Sequence, residues 1–157
     1  MKQATWRLAR KIALLRRHWW LLIHSFAVLV IVRIALYLTT YRRIATHIVL
    51  RPHDGVERDP VYLLQWSVQH ASRVVPQANC LTRALALQYM LARASHSSIM
   101  RVGVAQSLDK GFEAHAWILR GGKVLIGGNE EDITRFTPIA DFPLGDNPVV
   151  DPQAVER

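Results

Sequence analysis

The chain has 157 residues, enough for one domain with a hydrophobic core and hardly enough for two. Its only cysteine, Cys80, cannot form an internal disulfide, so a reducing, cytoplasmic compartment is the default. The net charge of +8 is uneven: residues 1–53 carry ten Lys/Arg and no Asp or Glu, whereas the rest carries ten basic and twelve acidic residues. Such a segment indicates an anionic partner, but it is too apolar for the solvated basic face that binds nucleic acid.

The basic segment, residues 1–50, is apolar and is expected to be helical. Residues 19–38 match the ~20 residues that a membrane span requires. They also contain His24 and Arg33, and an arginine near mid-bilayer costs at least ~2.5 kcal/mol. We therefore expect helices that pack on the domain, with residues 6–50 as a surface for the inner membrane face or for a protein. A solvated basic face on ordinary core helices is the alternative.

After the basic segment come a helix-breaking stretch and two predicted helices. Residues 51–60, "RPHDGVERDP", contain two prolines and an Asp-Gly pair and are predicted to be a linker. Residues 61–75 repeat apolar side chains at helical spacing up to Pro76. Residues 80–94 are apolar on nearly all sides, which predicts a helix that is buried on nearly all sides.

From residue 99 the pattern becomes strand-like. Segments rich in β-branched and aromatic residues occur at 99–108, 112–120 and 123–127, the last two separated by Gly121-Gly122 as a hairpin turn. Helices followed by an antiparallel meander predict an α+β fold, in which a buried central helix packs on a small sheet. We expect a core over 61–142 and a loose tail over 143–157.

Two residues could form a thiol site. Cys80 lies where the buried helix begins, and helix N-terminal N–H groups stabilise a thiolate. His115 shares a strand face with Trp117 and Leu119, which we expect to be the buried face turned towards that helix. An imidazole near a thiol can take its proton and return it to a leaving amine. The alternatives are an inert core cysteine and a histidine bonded to backbone, and spacing alone does not decide between these readings.

Other chemistries lack their motifs. There is no C-x-x-C, no H-x-x-x-H and no phosphate-binding glycine loop. The sequence therefore predicts neither a metal nor a cofactor.

Four stretches of the sequence resemble those of a known family. "NCLTRALALQYMLARAS", "RVGV", "FEAHAWI" and "RFTPI" are similar to the leader peptidases of lasso peptide biosynthesis, which are transglutaminase-like cysteine peptidases. The resemblance covers roughly residues 60–140 and implies a transglutaminase/papain-like core. It also implies that Cys80 is the nucleophile and His115 the general base and acid.

The resemblance further implies a reaction and partners. The enzyme would cut the leader from a ribosomally made precursor peptide and free the core N-terminus for a separate ATP-dependent cyclase. A separate leader-recognition protein would hold the leader, and no nucleic acid would be involved. A non-catalytic, membrane-associated scaffold and an acyltransferase on the same fold are the alternative functions.

One departure from the family concerns the third catalytic position. The resemblance places the family aspartate that orients the imidazole at Gly127 of this chain. A three-residue hairpin turn puts Gly127 opposite His115, and a two-residue Gly-Gly turn puts Gly128 there. Asn129 is the nearest side chain that could orient the ring, as an asparagine does in papain-like enzymes. The three acidic residues that follow are further candidates: Glu130, Glu131 and Asp132. A Cys–His dyad without a third member is the remaining option.

Oxyanion-stabilising donors complete the expected site. The backbone N–H of Cys80 is one expected donor. Gln77 or Asn79 is a candidate for the second.

Overall fold

The structure, a computed structural model, describes residues 17–38, 59–107 and 111–144. Most of the predicted linker and tail, and the rest of the N-terminal segment, lie outside the described residues. The elements in chain order are α1 (Trp19–Leu38), α2 (Val61–Ala71), α3 (Cys80–Arg93), β1 (Ser98–Ser107), β2 (Gly111–Arg120), β3 (Lys123–Ile126), α4 (Glu130–Ile133) and β4 (Thr137–Leu144). The α+β class is confirmed.

Helix α3 forms the centre of the core, as its composition predicts. It begins at Cys80 because the Asn79 side chain caps it: Asn79 Oδ1 accepts hydrogen bonds from the Thr82 backbone N–H (2.9 Å) and hydroxyl (2.8 Å). Helices α1 and α2 and the sheet pack around it. Its fully or nearly fully buried side chains include Ala84, Leu85, Ala86, Leu87, Met90 and Leu91.

Helix α1 packs on this core through one stripe. Ser25, Val28, Leu29 and Val32 recur at i, i+3, i+4 and i+7 and are all buried. The Ser25 hydroxyl donates to the hydroxyl of Ser67 on α2 at 2.7 Å. Within the described residues, α1 is the helix that is long and apolar enough to cross a membrane, yet its buried stripe packs against protein.

The connection from α2 to α3 leads directly into the predicted site. Helix α2 ends at Ala71, earlier than the periodicity predicts, and turns lead on to α3. In this connection Gln77 adopts a left-handed backbone with φ of 56°. Its side-chain Oε1 accepts a hydrogen bond from Arg33 Nη2, so α1 is tied to the residues immediately before Cys80.

The sheet is antiparallel with strand order β3-β2-β1-β4. Strand β4 is not anticipated by the sequence, because Pro138 and Pro143 disfavour a strand. An edge strand tolerates proline, and β4 is such a strand. It ends at Leu144, which pairs with Ser98 and is buried, so ordered pairing continues beyond residue 143, where the tail was expected to start.

The packing of α1 on the core predicts unequal effects of two substitutions on one helix. Leu29 is 0% exposed and Ile31 is 65% exposed. Leu29→Ala should lower the free energy of unfolding by about 2–5 kcal/mol because it leaves a cavity. Ile31→Ala should change it by less than about 0.5 kcal/mol. Urea unfolding followed by circular dichroism measures both, and equal effects would contradict this packing.

Candidate active site

Cys80 is the first residue of α3 and is partly exposed. The Asn79 cap satisfies the N–H of Thr82, and the N–H of Arg83 donates to the Asn79 carbonyl at 3.1 Å. The N–H groups of Cys80 and Leu81 have no partner among the described residues. The thiol therefore lies beside two backbone donors that have no partner in the described residues and beside the positive end of the helix dipole.

The face of the sheet that carries His115 differs from the prediction. Ala116 and Ile118 belong to the core that packs on α3. His115 and Trp117 alternate with them and point to the opposite face, where the ring of Phe136 stacks on His115 at 4.9 Å between centroids. The expectation that His115 faces the central helix is wrong, because both faces of β2 are apolar and the smaller residues take the helix side.

The His115 ring is held by a backbone carbonyl. Its Nε2 is hydrogen-bonded to the carbonyl oxygen of Gly127, just past the end of β3. Because a carbonyl oxygen can only accept, Nε2 must carry the hydrogen. In the neutral imidazole the lone pair is then on Nδ1, the nitrogen available to accept a proton.

Gly127 is required at its position for two reasons. Its φ of 113° is a backbone conformation that residues with a Cβ adopt only with strain. A Cβ built there would lie 2.8 Å from Trp117 Cα and 2.9 Å from the Ala116 carbonyl oxygen. This close backbone approach brings the Gly127 carbonyl to the imidazole.

Asn129, the predicted orienting residue, lies at the start of α4. It precedes the helix as its N-cap residue, and its backbone N–H donates to the Asp132 carboxylate at 3.2 Å. The hydrogen bond recorded for His115 goes to Gly127 instead.

The nearby carboxylates have other partners. Glu113 lies 3.4 Å from Arg135 on the His115 side of the sheet. Asp141 binds Arg101 through two hydrogen bonds of 2.7 Å, and this hydrogen bonding raises the pKa of Arg101. Glu130, Glu131 and Asp132 lie in the exposed α4. The ion pairs of Glu113 and Asp141 thus join them to Arg135 and Arg101.

Cys80 and His115 are connected through α3 and the first two strands. Gly103, the partner of His115 on β1, lies roughly 17 Å from the start of that strand at strand rise. Cys80 lies roughly 20 Å from Arg93 at helical rise. No hydrogen bond joins the thiol to the imidazole in the described part of the chain.

Strand β3 pairs with β2 only from Ile118 to Arg120, and past β3 the chain stays beside β2 as far as Gly127, whose carbonyl reaches His115. The imidazole is half-buried there.

A groove of about 660 Å³ lies next to the imidazole, on the sheet face opposite α3. Trp117 and Phe136, which both stack with His115, form part of its wall, together with Leu119, Ile133 and other residues. The indole Nε1 of Trp117 is buried and has no hydrogen-bond partner in the described residues. A groove of this volume with a largely apolar lining can hold a ligand or a peptide segment.

The described residues contain no group of three or more His, Cys, Asp and Glu that could hold a metal ion. The chemistry open to these side chains is thus that of a thiol, an imidazole and backbone donors.

Sequence reasoning missed the Gly127 carbonyl and the Arg33–Gln77 bond. The two consecutive glycines after β3 were a signal for the first, since paired glycines mark unusual backbone. An arginine within an apolar helix was a signal for the second, since such a charge needs a partner.

Comparison with known proteins gives one match. A family model described as the transglutaminase-like superfamily matches residues 28–141, well over half of the chain. The match includes most of α1, the site and most of β4. Comparison with curated proteins and with solved structures gives no significant match.

The close approach of Gly127 predicts a specific effect on the imidazole. Gly127→Ala should lower the free energy of unfolding by about 1–3 kcal/mol for the crowding, in addition to about 1–3 kcal/mol of backbone strain. It should also release His115 from its single tautomer, which nitrogen-15 NMR of the ring reports.

Gly121→Ala is the matched control for this prediction. Gly121 also has positive φ, at 54°, but a Cβ there meets nothing within 4 Å. This variant should show the backbone strain alone and keep the Nε2–H form of His115. An unchanged tautomer in Gly127→Ala would contradict the role of the Gly127 carbonyl.

Proposed function

Because the chain belongs to the transglutaminase-like superfamily, a family that includes cysteine peptidases and acyltransferases, we propose that it is a cysteine peptidase. Its substrate is the precursor of a lasso peptide, from which it removes the leader. The observation that carries this proposal is the His115–Gly127 hydrogen bond, because it leaves Nδ1 free to act as a base, while the Cys80 thiol stands at the start of α3.

The proposed reaction proceeds through an acyl-enzyme. Nδ1 of His115 takes the thiol proton, and the Cys80 Sγ attacks the carbonyl carbon that joins leader to core. The carbon–nitrogen bond breaks, the imidazolium gives its proton to the leaving amine, and the core peptide leaves with a free N-terminus. Water then attacks the thioester carbon while His115 accepts its proton. The carbon–sulfur bond breaks, the Cys80 sulfur takes that proton back from the imidazolium, and the leader leaves as a carboxylic acid.

The thiol and imidazole must approach for this step. Their separation in the absence of peptide is compatible with catalysis, because catalytic hydrogen bonds often tighten only when substrate binds. A peptide in the groove beside Trp117 and Phe136 would pack against the same rings.

Oxyanion stabilisation in this proposal comes from the start of α3. The free N–H of Cys80 is the first donor. The Gln77 amide is the second: Arg33 binds its oxygen, so the NH₂ group remains as a donor. Asn79 is the alternative second donor by the same argument, since its cap uses only Oδ1 and leaves its NH₂ group free of that interaction.

Support for the leader as substrate comes from the sequence resemblance around Cys80 and His115. The groove beside Trp117 and Phe136 is where a peptide segment could bind. The resemblance also carries the proposed partners, namely a separate leader-recognition protein and an ATP-dependent cyclase. The product of the proposed cleavage, a free core amine, is what such a cyclase would need.

A non-catalytic scaffold is the second candidate. It is favoured by the absence of a hydrogen bond between the thiol and the imidazole in the described residues, and by the position of His115 on the face opposite α3. In that case Cys80 and His115 would be dispensable, and an acyl-enzyme would not form.

Substitution of the proposed nucleophile discriminates these functions. Purified protein mixed with precursor and recognition partner should release the leader, and Cys80→Ala should reduce the rate by about 10³-fold or more. Mass spectrometry follows both products, and the thermal unfolding midpoint checks that the variant is folded. Leader release by Cys80→Ala at the parental rate would exclude the peptidase proposal.

The orienting role is tested by a second pair of variants. His115→Ala should lower kcat as strongly as Cys80→Ala, since both act in the same proton transfer. Asn129→Ala should leave kcat within a few-fold, because the recorded partner of the ring is the Gly127 carbonyl. A comparable loss in Asn129→Ala and His115→Ala would assign the orienting role to Asn129 after all.

A further inference from the structure

We propose that α1 docks the protein onto an anionic membrane surface and lies in the plane of the interface. The side of α1 that points away from the core, called here the outer face, is exposed and apolar. Its large side chains are Trp19, Trp20, Ile23, Phe26, Ile31, Ile34, Tyr37 and Leu38. A continuous apolar surface of this kind marks an interaction site.

The opposite stripe of α1 determines how it can meet lipid. Because Leu29 and Val32 are buried against the core and Ser25 bonds to Ser67, one side of the helix is covered by protein along its length. A helix crossing the bilayer in this arrangement would carry the folded domain into the hydrocarbon. A helix lying in the interface keeps the domain in water and places only the outer face in lipid.

The polar groups of α1 agree with this orientation. Arg33, the charged residue within the helix, is half-buried and bonds to Gln77, so it is directed to the domain. His24 is the polar residue on the outer face. Trp19 and Trp20 stack at 4.9 Å between ring centroids in the first turn, and tryptophan favours the boundary between headgroups and acyl chains.

Charge identifies the occupant as anionic lipid. Residues 1–53 hold ten Lys/Arg and no acidic residue, with Arg16-Arg17 just before α1 and Arg42-Arg43 shortly after it. Basic residues that flank an apolar helical face bind anionic headgroups. A second copy of the chain on this face would bring two such basic segments together, which charge repulsion disfavours.

Vesicle flotation with the full chain tests the proposal. Vesicles of phosphatidylcholine mixed with phosphatidylglycerol should bind the protein, and phosphatidylcholine alone should bind it much less. High salt should weaken the binding because it screens the headgroup attraction. Arg16→Gln with Arg17→Gln should lower the partition coefficient roughly 30-fold, as expected for two basic residues near the surface.

A matched pair of variants tests the outer face itself. Ile31→Ser combined with Trp20→Ser should reduce binding roughly ten-fold or more. Ile139→Ser should leave it unchanged, since Ile139 is similarly exposed, at 61%, but lies on β4.

Three results would overturn the proposal. They are equal binding to neutral and anionic vesicles, no binding to either, and retention in the membrane after alkaline carbonate extraction, which marks a spanning helix. Cys80→Ala should bind vesicles like the parent, so failure here and failure of the peptidase proposal are distinguishable.

Discussion

The burial of α3 on nearly all sides is the constraint on which the rest of the structure depends. Helices α1 and α2 and the sheet each cover part of it, so its axis and rotation are both fixed. Asn79 then fixes where the helix starts. As a result, the partly exposed Cys80 stands at the end of the most deeply buried helix among the described residues, while its backbone N–H has no partner there. A reactive group needs this kind of support, because loose supports misplace reacting atoms.

The elements could be predicted where one pattern dominates. The start of α3, the β2–β3 turn and the α+β order follow from apolar periodicity and from glycine. The face of His115 could not be predicted, because Ala116 and Ile118 are as apolar as Trp117 and Leu119, and alternation alone does not say which set meets a helix. Strand β4 was missed because its prolines are acceptable only at an edge, and edges are a property of the whole sheet.

The candidate site was predictable to the level of residue type and no further. Cys80 at a helix start and His115 in a strand can be identified from the sequence, because their side chains have a known chemistry. The partner of the imidazole is a main-chain oxygen. Every residue has such an oxygen, so the residue type does not reveal which one bonds the ring. The same holds for the Arg33–Gln77 bond, since it joins residues far apart in sequence through the packing of α1. Long-range geometry of this kind arises from the fold and is absent from local pattern.

The Gly127 carbonyl has a consequence for how this site can change in evolution. A side-chain carboxylate can be lost in one codon change, but a main-chain oxygen remains whatever residue is encoded, so the acceptor itself cannot be deleted. Its placement, in contrast, tolerates little else than glycine, because any Cβ meets Trp117. The acceptor is also neutral, so it fixes the tautomer of His115 while giving an imidazolium less electrostatic support than an aspartate would. Heritable variation at this position therefore acts through shape rather than through charge.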